Sequence, residues 1–123
     1  MGIVYLISDG ELYKIGVTKS DIEKRIKKLQ TGNGKEIYLV AKHKTEYPYY
    51  VEKTLHFRHC NEYELGEWFD LKDKSIFDFE KECEKIEEMI ETMKDNPWFL
   101  KKLKWWYLKI WIGKELKLNY LKI

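Results

Sequence analysis

The sequence has no uninterrupted apolar run near the roughly 20 residues that a bilayer-spanning helix needs, so no membrane span is expected. It has two cysteines, Cys60 and Cys83, far apart, with only the adjacent His59 as a nearby metal ligand. Neither a disulfide framework nor a zinc finger can be built from that set, and reduced thiols in a cytoplasmic or nuclear compartment are expected. The opening MGIVYLISDGELYK lacks a basic leader and soon meets acids, unlike a secretory signal. Prolines number two, Pro48 and Pro97, and each falls where a helical or strand pattern breaks.

What is present is ordinary for a soluble α/β module: 123 residues, 44% hydrophobic and 36% charged. That length carries one modest core without staples. A net charge of +2 conceals an asymmetry. Residues 1–95 hold 16 basic against 20 acidic side chains, whereas 96–123 hold 7 against 1, so the basic surface concentrates at the C-terminal end.

Two strand-forming runs, Gly2 to Ile7 and Leu12 to Val17, flank Ser8-Asp9-Gly10-Glu11, which predicts a tight β-hairpin. After Thr18-Lys19, Ser20 or Asp21 can cap a helix whose buried stripe is Ile22, Ile26 and Leu29. Arg25 then lies in its first turns, with Lys24, Lys27 and Lys28 facing outward as phosphate ligands or as a solvated face. Gly32 and Gly34 end it. Glu36 to Lys44 reads as a third strand, giving a three-stranded antiparallel sheet.

Beyond Tyr47-Pro48, helical spacing returns over Tyr50 to His59. Val51 and Leu55 point inward, and Glu52 and His56, four apart, share a neighbouring face. In Gly66-Glu67-Trp68-Phe69-Asp70-Leu71 the glycine serves a turn and the aromatics pack as core or lid. From Ser75, as cap, one long helix is expected, with Ile76, Phe79, Cys83, Ile86, Met89, Ile90 and Met93 inward and an acidic outer face. That face repels nucleic acid, so the helix is a brace or a dimer contact. The segment from Trp98 onward sets tryptophans and tyrosines among lysines, and Trp106 to Ile112 fits helix or strand. It can cover the core, contact nucleic acid through Lys101, Lys102 and Lys104, or join copies of the chain; a membrane role is not expected.

Hairpin, helix and arginine in this order resemble the start of a GIY-YIG endonuclease domain, in the divergent branch found in phages and large DNA viruses. Gly2-Ile3-Val4-Tyr5 stands for the first named segment and Tyr13-Lys14-Ile15-Gly16 for the second, with Lys14 where a tyrosine is expected and Tyr13 before it. The resemblance covers about 1–71 and implies a nuclease domain there, followed by a 72–123 extension of acidic helix and basic aromatic segment packed on it. It implies catalysis by Tyr5, Tyr13 and Arg25, with Lys14 and His56 supporting a tyrosine, and Glu52 binding Mg²⁺ or Mn²⁺. Tyr38 and His43 are further candidates near the third strand, and the family's late asparagine has no counterpart. The expected function is metal-dependent DNA cleavage; the alternative is a nucleic-acid-binding or assembly module on the same fold that has lost it.

Overall fold

The computed structural model describes residues 1–99, 101 and 102. Five antiparallel strands form one sheet flanked by helices, two strands more than the sequence pattern predicts. β1 (Gly2–Ser8) lies between β2 (Tyr13–Thr18) and β3 (Tyr38–Thr45), and the sheet continues through β5 (Trp68–Phe69) to β4 (Tyr63–Leu65), in the order β3-β1-β2-β5-β4. The two extra strands are three and two residues long, too short for any alternation to register. They form because Gly66, at φ +61°, reverses the chain tightly enough to pair Leu65 with Trp68.

The hairpin is where it was expected, with its four-residue connection one place later, Asp9 to Leu12 in place of Ser8 to Glu11, since Ser8 pairs with Tyr13. Asp9 holds that loop by accepting from the backbone N–H groups of Glu11 and Leu12 at 2.9 and 2.8 Å. α1 (Ile22–Thr31) starts on Asp21, whose carboxylate accepts from Glu23 N–H, and stops at Gly32. α2 (Pro48–Arg58) opens with proline in its first turn, where no backbone donor is lost.

The predicted single helix from Ser75 is two helices, α3 (Asp73–Phe77) and α4 (Phe79–Met93), broken at Asp78. Ser75 therefore lies inside α3 rather than capping α4. The expected apolar stripe survives the break. Phe79, Cys83, Ile86 and Ile90 are buried in one cluster with Val4, Leu6, Ile15, Val51, Leu55 and Phe69. At about 1.5–3 kcal/mol for each large apolar side chain fully buried, this cluster is the main source of stability.

Strict alternation along β1 divides the molecule into two layers. Val4 and Leu6 join the cluster beneath α2 and α4, while Tyr5 and Ile7, with Ile3 beside them, join a second, smaller cluster beneath α1 with Ile22, Ile26, Leu29 and Ile37. The continuation of the basic aromatic segment, including Lys104, lies outside the described residues. Lys101 and Lys102 are exposed, and the Lys101 ammonium sits 5.9 Å from the centre of the Trp98 ring.

Candidate functional site

β5 pairs with β2 only at Tyr13 and Lys14, and one further bond runs from Ile15 N–H to the Glu67 carbonyl at 3.3 Å. Among the described residues, no strand flanks the outer edge of β2 from Gly16 to Thr18. His56 of α2 closes the boundary of that gap. Its Nε2 lies 2.9 Å from the Ile15 carbonyl, an acceptor only, so the imidazole donates there. Buried and edge-on to Phe69 at 5.0 Å, His56 holds α2 against β2.

Tyr5 pairs with Gly16 across the hairpin, and its ring lies over that glycine. A Cβ at position 16 would stand 2.5 Å from the ring carbon that bears the hydroxyl. Glycine thus lets a fully buried phenol cross to the free edge of β2. There Arg25 Nε of α1 donates to the Tyr5 hydroxyl at 3.4 Å, a long bond at the weak end of the range. Burial pushes the Tyr5 phenol above its ordinary pKa; the hydrogen bond and charge of Arg25 pull it down without prevailing, and the charges of Glu67 and Glu52 add to the rise. The phenol is therefore neutral at neutral pH. Those two charges come from different parts of the fold, Glu67 from the β4–β5 turn and Glu52 from α2 on the other side of the sheet.

The structure thus joins Tyr5 to Arg25, which lies 20 residues away in sequence, while Glu52 reaches them only through its charge, the smallest of the causes acting on the phenol. Lys14 joins them indirectly, through an ion pair with Glu67 at 3.5 Å. Tyr13 does not join them: strand alternation turns it to the opposite face, where it packs on the larger cluster. His43 also lies apart, with Nε2 2.5 Å from Glu87 of α4, so it ties β3 to the acidic helix. Tyr38 is exposed at the start of β3, opposite Ser8. Lys24, Lys27 and Lys28 are exposed on α1 as their spacing predicts. Sequence reasoning missed Glu67, because it sits in a turn without periodicity.

Glu52 is almost wholly buried, and its carboxylate lies 3.5 Å from the Lys53 ammonium. Among the described residues no three or more histidine, cysteine, aspartate or glutamate side chains converge as a metal cage. The single buried carboxylate of Glu52 is a hard oxygen donor of the kind Mg²⁺ or Mn²⁺ takes, with most positions left to water and phosphate oxygens.

The sequence profile of one protein family, the T5orf172 domain, matches residues 2–94, which include every element from β1 to α4. No curated protein and no solved structure matches the chain.

Proposed function

The chain belongs to the T5orf172 domain family, a phage-associated domain of nuclease-like or DNA-binding character, and we propose that it is a metal-dependent DNA endonuclease of the GIY-YIG type. The observation that carries this reading is the contact of Arg25 with the buried Tyr5 hydroxyl, on which the charges of Glu67 and Glu52 also act. Hydrolysis of a phosphodiester needs a cation for the phosphoryl oxygens, an acceptor for the water proton, and help for the leaving oxygen.

Arg25 serves the first need. Its Nε is engaged by Tyr5, which orients the guanidinium and leaves its two terminal nitrogens to pair with non-bridging phosphate oxygens. Tyr5, neutral because of burial, acts as a positioned hydroxyl that orients the attacking water or the phosphate, rather than as a phenolate base. Glu67, more accessible than Glu52, takes the proton as the water oxygen bonds to phosphorus and the bond to the leaving oxygen breaks. Mg²⁺ or Mn²⁺ held by Glu52 would supply Lewis-acid stabilisation of the charge on the leaving oxygen. Lys24, Lys27, Lys28 and the lysines at 101, 102 and 104 would hold the DNA, with residues 72–123 bracing the 1–71 unit and joining copies or partners through the aromatic segment.

One observation favours a second reading, in which the module binds nucleic acid without cutting it. Lys14 occupies the position of the family's second tyrosine and pairs with Glu67, a contact that competes with proton transfer. Nicking of supercoiled plasmid with Mg²⁺ or Mn²⁺, by wild type and by Arg25→Ala and Glu52→Ala, decides between them. Nicking by wild type alone supports the enzyme, and binding without nicking by all three proteins rejects it.

A further inference from the structure

A groove of about 470 Å³ runs from the end of β2 along α1, walled by Val17, Thr18, Ser20 and the cations Lys19, Lys24, Arg25 and Lys28. No carboxylate lines it, although acids outnumber bases over residues 1–95. Four lysines of the core have acidic partners, Lys14 with Glu67, Lys35 with Glu11, Lys53 with Glu52 and Lys94 with Glu91, and none of these four lines the groove. Among the described residues, Lys19, Lys24 and Lys28 have no ion-pair partner. Four like charges around one groove repel one another unless an anion separates them.

The spacing suits a polyanion. Lys24 and Lys28 are one helical turn apart, about 6 Å along the axis, while a nucleic-acid strand carries one charge per about 3.4 Å of helix axis. Arg25 connects the groove to the Tyr5 hydroxyl, so a strand whose phosphate sits at Arg25 has its neighbours over these lysines. Lys27 is equally basic and exposed, but helical rotation takes it out of the wall. Lys19, in the β2–α1 link, closes the other end.

We propose that this groove seats about two or three successive phosphodiesters next to the phosphate held by Arg25, with Lys19, Lys24 and Lys28 as their ligands and Lys27 as a bystander. The proposal deepens the endonuclease reading and rests on its assignment of Arg25 to phosphate, but binding can be measured apart from cleavage. Its chemistry is that of the backbone, which DNA and RNA share.

The test uses the full chain in EDTA with short labelled DNA and RNA duplexes, reading the slope of log affinity against log salt. Each of Lys19→Ala, Lys24→Ala and Lys28→Ala is expected to make the slope shallower by about 0.9, while Lys27→Ala leaves it as in wild type. Losses on DNA, on RNA or on both support the seat and identify the strand it takes. No loss on either, or an equal loss for Lys27→Ala, overturns it. All four side chains are exposed or line the groove, and circular dichroism verifies that the variants fold. A plasmid-nicking arm with Mg²⁺ separates the two claims. Groove-dependent binding without nicking rejects the endonuclease and leaves the seat standing, whereas nicking with unaltered slopes rejects the seat alone.

Discussion

The ring of Tyr5 lies against the backbone of Gly16, its partner across the β1–β2 hairpin, so closely that a Cβ there would fall 2.8 Å or less from three atoms of the phenol. Tyr5 is fully buried and cannot swing into solvent to make room. Gly16→Ala should therefore destabilise the fold by about 1–3 kcal/mol, as overpacking does, and displace the hydroxyl from Arg25. Denaturant unfolding checks the first effect and the nicking rate the second. A variant as stable and active as wild type would show that the contact does not constrain Tyr5.

Removing only the hydroxyl separates chemistry from packing. Tyr5→Phe keeps the ring over Gly16 and loses one long hydrogen bond, so stability should change by no more than about 1 kcal/mol. Nicking should fall by about 10²-fold or more. Because burial and the two carboxylates hold the phenol above its ordinary pKa, the wild-type rate profile should carry no phenol ionisation between about pH 6 and 9. A limb in that range that disappears in Tyr5→Phe would restore Tyr5 as the base.

Glu67→Gln tests the proton acceptor. The amide keeps the size of the side chain, and the backbone bond from Ile15 N–H to the Glu67 carbonyl is unaffected. Nicking is expected to drop by about 10²-fold while DNA affinity holds. Full activity in this variant would return the role of base to water or to another group.

His59 makes stability depend on pH. Its Nε2 lies 2.8 Å from Glu82 of α4 and its Nδ1 3.6 Å from Glu62, while Arg58 reaches Glu82 at 3.7 Å. Burial opposes the imidazolium, but the hydrogen bond and charge of Glu82, aided by Glu62, outweigh it and raise the pKa. Glu82 moves the other way: burial alone would raise it, and His59 with Arg58 brings it below the ordinary carboxylate value. The contribution of His59 is complete below the unfolded histidine value of about 6.5 and fades as pH rises through the higher folded value. That of Glu82 is complete above about 4.3 and fades as pH falls through its lower folded value. The bridge is thus strongest between those limits, and His59→Leu should cost about 1–3 kcal/mol at pH 5.5 and less at pH 8.5. Thermal melts of both proteins at the two pH values measure it; equal differences at both would mean that His59 is not charged in the fold.

The two thiols should differ in reactivity. Cys60 is exposed, whereas Cys83 is fully buried in the main core, and burial followed by the neighbouring glutamates pushes its thiol up. A thiol reagent at neutral pH should label Cys60 alone in the native protein and both after denaturation. Native labelling of Cys83 would mean that α4 detaches readily from the sheet.

Much of this was legible in the chain because it is encoded within a few neighbouring residues. Alternation in Gly2 to Ile7 specifies a strand with two faces, spacing of Ile22, Ile26 and Leu29 specifies a helix that shows Arg25 partly to one side, and Val51 with Leu55 specifies the inner face of α2. Local pattern could not reveal that Phe77-Asp78-Phe79 breaks a helix whose apolar spacing runs on, nor that Tyr63–Leu65 and Trp68–Phe69 extend the sheet.

What only the tertiary structure decided is which side chains meet. β5 stops beside Ile15, and near the edge it leaves open a tyrosine of β1 meets an arginine of α1, with carboxylates of α2 and of a turn acting on the phenol through their charge. Periods of 2 and 3.6 assign a residue to a face of its own element, but the order of strands and the reach of loops determine which faces adjoin. Those depend on packing helices against both faces of the sheet at once, and no window of sequence contains them.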